Sequence, residues 1–107
     1  AAAEKLLSLP DRPTAILCGS DMLALGVMSR AREMGISVPG ELSVTGFDDV
    51  EYAKMFHPYI TTIAQPCYDL GLTSMKKLKE CIDKGSNDNM HIVMPYELKV
   101  RESTAAV

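Results

Sequence analysis

Short apolar runs alternate with longer amphipathic segments along this chain, and this alternation limits its possible folds more than any other feature. The runs at residues 14–18, 42–47 and 60–64 follow turn-forming residues and are apolar or rich in β-branched side chains, which predicts strands. The segments at 22–34 and 68–84 have the length and spacing of helices. A first helix at 1–9, a short helix at 50–56 and two final strands at 91–94 and 97–100 complete the predicted order. Strands alternating with helices predict an α/β fold, a mostly parallel sheet with helices on both faces. The run at 14–18 is continuously apolar, which predicts a strand buried on both faces.

Composition and charge exclude several classes of protein. Of the 107 residues, 47% are apolar and 23% are charged, as in an ordinary globular domain. The net charge is −3, and the lysines at 76, 77 and 79 are predicted to form the solvated side of a helix. Because phosphates attract basic patches and none is visible here, we expect any contact with DNA to involve residues outside this chain.

The chain has no apolar run of the roughly 20 residues that span a membrane. It begins without Met in what reads as the end of a helix, so we expect a fragment of a longer protein. Its cysteines, Cys18, Cys67 and Cys81, are odd in number and match neither a zinc site nor a redox pair. They are predicted to be buried, reduced thiols typical of the cytoplasm, and no metal or other cofactor is expected.

The helix at 22–34 has two apolar sides. One side is expected to cover the sheet, and it comprises Leu23, Val27, Ala31 and Met34. Nearly opposite lie Met22, Leu25 and Met28. A helix that is apolar on both sides is usually buried on both. The pattern allows two explanations for the second side, burial under the rest of the same subunit or an interface between subunits.

Polar side chains follow three of the predicted strands. Ser20 and Asp21 follow the first, Asp48 and Asp49 the second, and Gln65 the third. Ligands of open parallel sheets bind beyond the carboxyl ends of the strands. Carboxylates accept hydroxyl protons and an amide both donates and accepts, which suits a neutral polyhydroxylated ligand such as a sugar or nucleoside. For Asp21 and Asp49 we favour capping and turn roles, whereas for Asp48 and Gln65 both roles stay open.

The sequence does not favour an enzyme. Neither His57 nor His91 lies in a pattern with a Ser or Cys nucleophile, and residues 18–21 lack the spacing and the Lys of a phosphate-binding loop. Asp48 and Asp49 are adjacent, so on a strand end their side chains would point apart, which is a poor arrangement for an acid–base pair.

Four blocks of residues stand out along the chain: PTAI with SDMLALG (13–16 and 20–26), VP with LSVTGFDD (38–39 and 42–49), TTIAQP (61–66) and LKVREST (98–104). In their order and spacing, they resemble the characteristic blocks of the lac/gal repressor family of bacterial transcription regulators. The resemblance implies the C-terminal part of a periplasmic-binding-protein-like (type I) effector domain, in which two α/β subdomains enclose a ligand. It implies that about 1–47 and 96–107 belong to the C-terminal subdomain and about 66–85 to the N-terminal one. The DNA-binding domain would lie outside this chain.

The resemblance also implies a set of effector-binding residues: Ser20, Asp48, Gln65, Cys67 and Leu70. Ser20 stands where the family often has Asn, and Cys67 where some relatives have an aromatic side chain. Arg101 is expected to fix the closing strand instead of meeting the ligand. The implied partner is a small sugar-like effector, which shifts the two subdomains toward one arrangement.

By the same resemblance, the dimer surface falls on Met22, Leu25, Met28, Tyr52 and Phe56. This favours an interface for the second apolar side of the helix at 22–34. The implied protein is a cytoplasmic homodimer that reaches operator DNA only through its missing N-terminal domain. The alternative is a periplasmic sugar-binding protein of a transporter, which shares the fold, although residues 38–49 and 100–104 resemble the regulators.

Overall fold

The computed structural model of the chain describes residues 2–86 and 91–106. Contacts divide the chain into unit 1, Ala1–Ala64 with Leu98–Val107, and unit 2, Gln65–Glu97. The elements in chain order are α1 (Ala2–Leu7), β1 (Ala15–Leu17), α2 (Asp21–Glu33), β2 (Ser43–Thr45), a 3₁₀ helix (Glu51–Lys54), β3 (Thr62–Ala64), α3 (Cys67–Lys84) and β4 (Glu97–Lys99). The assignment of these units to the subdomains of a complete effector domain stays a prediction.

The predicted alternation of strands and helices is confirmed, with shorter strands. The predicted strand at 91–94 is wrong, because those residues have no regular structure. A strand forms only beside a partner that completes its hydrogen bonds. Of the two predicted final strands, only β4 has such a partner, β3.

Strands β1 and β2 of unit 1 pair in parallel, as predicted. Ile16 of β1 lies opposite Val44 of β2. Parallel bridges from Thr45 to Thr61 and from Asp48 to Ala64 continue the pairing toward β3. The carboxyl ends of these strands therefore meet at the same edge.

The core of unit 1 lies between α2 and the strands. Its buried apolar side chains are Leu7, Cys18, Ala24, Val27, Met28, Ala31, Ile36, Leu42, Val44, Ala53 and Ile60. The buried side of α2 is thus formed by residues 24, 27, 28 and 31, whereas the predicted residues were 23, 27, 31 and 34. Leu23, predicted to face the sheet, is 61% exposed, and that prediction is wrong. The fully buried Ala24 and Ala31 take the inner positions, since small side chains let the helix approach closely.

The prediction that β1 is buried on both faces is also wrong. Ile16 and Cys18 pack on the core, whereas Leu17 is 88% exposed. Successive side chains of a strand point to opposite faces, and α2 covers only one of them. The described residues do not cover the face that carries Leu17.

The C-terminal segment completes unit 1 through Ser103. The Ser103 hydroxyl donates to the Val44 carbonyl oxygen (2.6 Å) and accepts from the Thr61 N–H (2.9 Å). The Val44 N–H in turn donates to the Ser103 carbonyl oxygen (2.8 Å). Ser103 is fully buried, so this polar link joins β2 to the segment before β3 where water cannot compete.

Unit 2 contains α3, which ends at Gly85 in the left-handed conformation (φ 65°). None of its residues is buried. Lys77 pairs with Glu80 (2.9 Å) and Lys79 with Asp83 (2.6 Å), as expected for a solvated face. In the described ranges, no helix has both the length and the apolar character needed to cross a membrane.

The cysteine prediction is right for only one residue. Cys18 is buried, and burial raises the pKa of its thiol. Cys67 is exposed and Cys81 half-buried, because the described residues do not cover α3. Within the described residues, none of the three forms a disulfide bond.

Candidate functional site

Ser20 and Asp21 begin α2 directly after β1, where the sequence placed one part of the site. Ser20 is the N-cap residue, and its hydroxyl oxygen accepts from the Leu23 N–H (3.3 Å). A short oxygen-bearing side chain at this position satisfies one of the free N–H groups of the first helical turn. The Asp21 N–H donates to the Phe47 carbonyl oxygen (3.0 Å), which brings the start of α2 against the loop after β2.

The Asp21 carboxylate joins three segments inside unit 1. It is fully buried, and its Oδ2 accepts from the Val50 N–H (2.8 Å) while its Oδ1 accepts from the Thr62 hydroxyl (2.6 Å). A buried carboxylate is tolerated where hydrogen-bond donors surround it. The predicted structural role of Asp21 is confirmed.

Asp48 and Asp49 occupy an uncommon backbone conformation. Their φ angles are 100° and 53°, and among residues 2–86 and 91–106 no other non-glycine residue has a positive φ. Asp is one of the few L-residues that adopt this region readily. The half-buried Asp48 also donates its N–H to the Ile63 carbonyl oxygen (2.9 Å).

Asp49 forms an ion pair with Arg101 in a nearly closed environment. Arg101 Nη2 lies 2.5 Å from Asp49 Oδ1, with the side chains 16% and 12% exposed. Arg101 Nη1 also donates to the Ile60 carbonyl oxygen (3.0 Å), and the Arg101 N–H to the Thr61 hydroxyl (2.9 Å). These contacts confirm the turn role expected of Asp49 and the strand-fixing role expected of Arg101.

The remaining predicted effector-binding residues lie in unit 2. Gln65 follows β3 in the chain and is half-buried, and its carbonyl oxygen accepts from the N–H of the exposed Cys67 (2.9 Å). Leu70 follows on α3 and lines a cavity of about 180 Å³ with residues 73, 74, 77, 92 and 94. The structure therefore places Ser20 and Asp48 together in unit 1, and Gln65, Cys67 and Leu70 together in unit 2.

A larger groove in unit 1 contains three of the predicted dimer residues. Leu25, Met28 and Phe56 line a cavity of about 640 Å³ between α2 and the segment after the 3₁₀ helix. Met22 and Tyr52, also predicted at the dimer surface, are exposed and lie outside its lining. The other lining residues are Ser29, Arg32, Gly35, Ile36, Ser37, Val38, His57 and Pro58.

Close to this groove, Glu102 fastens the C-terminal segment to the chain before β3. The Tyr59 N–H (3.0 Å) and the His57 ring (2.7 Å) both contact the Glu102 carboxylate and lower its pKa. No cluster of three or more His, Cys, Asp or Glu side chains that could hold a metal ion occurs within the described ranges.

Sequence reasoning missed two side chains that build this region, Thr62 and Ser103. Thr62 is almost completely buried and donates to Asp21, and Ser103 bridges β2 and Thr61. Ser and Thr in strands and final segments carry no distinctive spacing. Their only signal was their place inside the blocks 61–66 and 98–104.

A family model for the periplasmic binding protein-like domain matches residues 1–104. The chain belongs to this family. The predicted periplasmic-binding-protein-like fold is thereby confirmed, and the neighbours described next agree with it.

Relatives confirm the resemblance to the lac/gal repressors. Catabolite control protein A of Priestia megaterium is 38% identical over 103 residues, which are 96% of this chain and 31% of that protein. The crystal structure of the lac repressor dimer bound to operator and the anti-inducer ONPF matches with a TM-score of 0.86 and 33% identity, covering 98% of this chain and 36% of that one. The transcriptional regulator CelR–cellobiose complex matches with a TM-score of 0.85 and 30% identity, covering 95% and 31%. These relatives are transcription regulators, not enzymes or transport proteins, and this chain spans about a third of their length.

Proposed function

We propose that this chain is the C-terminal part of the effector-binding domain of a lac/gal-type transcription regulator that senses a sugar or a related polyol or nucleoside. Its proposed effector contacts are Ser20, Asp48, Gln65, Cys67 and Leu70. The role is binding, without catalysis and without a cofactor. Operator DNA would be read by a domain outside this chain, in the cytoplasm.

The observation that carries this proposal is the placement of Ser20 and Asp48. Both follow parallel strands that pair side by side, and the Asp21 N–H to Phe47 bond joins the two loops. The Asp21 and Asp49 carboxylates accept hydrogen bonds that join segments of unit 1, which supports structural roles for both. The carboxylate we assign to the ligand is that of Asp48, because a carboxylate can accept two hydroxyl protons of a sugar.

We also propose that the protein is a homodimer through Met22, Leu25, Met28, Tyr52 and Phe56. The groove lined by Leu25, Met28 and Phe56 supports this, since apolar side chains from two segments meet there at the surface. In such regulators, effector binding to one arrangement of the domain would reach the DNA-reading parts through this interface.

The effector proposal is tested by titrating full-length protein with ribose, cellobiose, glucose 6-phosphate and adenosine in a calorimeter. Asp48→Asn is expected to weaken binding of the best of these probes by about tenfold to hundredfold, because a charged hydrogen-bond acceptor is lost. Asn is preferred to Ala here, since Asn also tolerates the left-handed backbone of residue 48.

Asp11→Asn is the matched control, because Asp11 is an exposed carboxylate in the turn before β1. It is expected to bind the probe as wild type does. Equal affinity of the Asp48→Asn and wild-type proteins would remove Asp48 from the site. A wild-type protein that binds none of the four probes would contradict the proposed ligand class.

A further inference from the structure

We propose that Asp21, Asp49 and Arg101 are positioning residues that set effector affinity by holding the backbone of residues 47–50 around Asp48. The inference rests on the proposed function, since it concerns the same carboxylate. None of the three would touch the effector. Each would act on Asp48 through the chain on either side of it.

Four consecutive residues are fastened to different parts of unit 1. The Phe47 carbonyl oxygen accepts from Asp21 N–H (3.0 Å), and the Asp48 N–H donates to Ile63 (2.9 Å). The Asp49 carboxylate pairs with Arg101 (2.5 Å), and the Val50 N–H donates to the Asp21 carboxylate (2.8 Å). Asp48 thus lies between a backbone hydrogen bond from Asp21 to residue 47 and two side-chain contacts, from Arg101 to residue 49 and from the Asp21 carboxylate to residue 50.

The backbone at Asp48 needs such anchors. A φ of 100° is outside the regions that L-residues prefer, and a residue stays there only when its surroundings determine it. Released from the anchors, residue 48 would relax toward a negative φ. Its side chain would then leave from the backbone in another direction, and the preorganised carboxylate would be lost.

The contacts of Arg101 distinguish the proposed positioning role from a simple cross-link between strand ends. Its guanidinium reaches Asp49 through Nη2 and the Ile60 carbonyl oxygen through Nη1. Residue 60 precedes β3, the strand to which Asp48 is also bonded through Ile63. One side chain therefore connects the loop to the segment that leads into the strand receiving the Asp48 N–H.

The test uses full-length protein with Arg101→Met, which keeps an unbranched apolar stem and removes the guanidinium. We expect at least a tenfold loss of affinity for whichever of ribose, cellobiose, glucose 6-phosphate and adenosine binds wild type best. We also expect faster hydrogen exchange in a peptide covering residues 47–52. Arg101→Lys should recover part of the affinity, because an ammonium can meet Asp49 but lacks the second arm toward Ile60.

Glu102→Gln is the matched control, because Glu102 fastens the neighbouring position of the same segment to Tyr59 and not to the loop at 47–50. We expect its affinity to stay within twofold of wild type and the exchange of 47–52 to be unchanged. If Arg101→Met does not fold, Asp49→Asn carries the test, since it removes the charge of the same pair and tolerates a positive φ.

A folded Arg101→Met protein that binds the probe as wild type does would overturn the inference, while a loss confined to Asp48→Asn would leave the proposed function intact. An equal loss of affinity in Glu102→Gln would also overturn the inference, because the effect would then come from general loosening of the C-terminal segment.

If no probe binds wild type, the proposed function fails. The exchange measurement still decides the positioning claim, and unchanged exchange of 47–52 in Arg101→Met would overturn that claim.

Discussion

At the scale of the residue, the packing around Asp21 depends on Gly46, which has no side chain. An added Cβ at Gly46 would lie 2.1 Å from Asp21 Oδ1 and 3.0 Å from Asp21 Cα. The buried carboxylate cannot move away, because Val50 and Thr62 hold its two oxygens. Gly46 therefore lets the loop after β2 approach the start of α2.

We predict that Gly46→Ala destabilises the chain by about 1–3 kcal/mol, because a new methyl group in a packed interior forces neighbours to shift. Gly26→Ala is the control, since Gly26 lies on the exposed side of α2 with open space around it. That change should stabilise the helix by about 0.5–1 kcal/mol. Urea unfolding of the 107-residue chain measures both, and equal stability of Gly46→Ala and wild type would show that the close approach is not needed.

At the scale of the element, α2 has two apolar sides with different surroundings. Ala24, Val27 and Ala31 pack in the core, whereas Leu25 is only partly buried and lines the groove with Phe56. Met28 belongs to both, being buried in the core and part of the groove lining. Folding of this chain thus satisfies one side of the helix and leaves part of the other at the surface.

We predict that Leu25→Glu converts the full-length protein from dimer to monomer, because a carboxylate buried in an apolar interface without a partner opposes association. Sedimentation equilibrium measures the change. Leu9→Glu, at an exposed leucine of unit 1 outside the groove, should leave the dimer intact. A Leu25→Glu protein that still sediments as a dimer would show that the interface lies elsewhere.

At the scale of the whole molecule, the two units differ in what they bury. Unit 1 contains a cluster of eleven buried apolar residues, whereas α3 in unit 2 has 18 residues and buries none. Most helical stability in proteins comes from packing of an apolar face, so a helix without such packing is marginal. Leu70, Met75, Leu78 and Ile82 of α3 are exposed in this chain.

We predict that amide hydrogens of α3 in the 107-residue chain exchange at least tenfold faster than those of α2, because local opening needs little loss of buried contact. Hydrogen exchange followed by mass spectrometry compares the two helices in one experiment. Protection of α3 equal to that of α2 would mean that the chain covers this helix in solution, for example by pairing with a second copy.

The sequence alone determined most of the elements and the parallel pairing, because these depend on periodicity and on residues close together in the chain. It also favoured structural roles, and not ligand binding, for Asp21 and Asp49. It could not place Leu23, Leu17 and Cys67, whose burial depends on which neighbour covers them. The failed strand at 91–94 has the same cause, since a strand needs a partner that no local pattern specifies.

Only the tertiary structure decided how the edge of the sheet is built. The Asp48 backbone is left-handed, and the contacts beside it join distant segments: the Val50 N–H to Asp21 bond spans 29 residues and the Arg101 to Asp49 ion pair spans 52. Local propensity does not encode such contacts, because they form only when folding brings distant donors and acceptors together away from water. Short-range pattern indicates most of the elements, and long-range hydrogen bonding determines how the strand ends and their carboxylates are held.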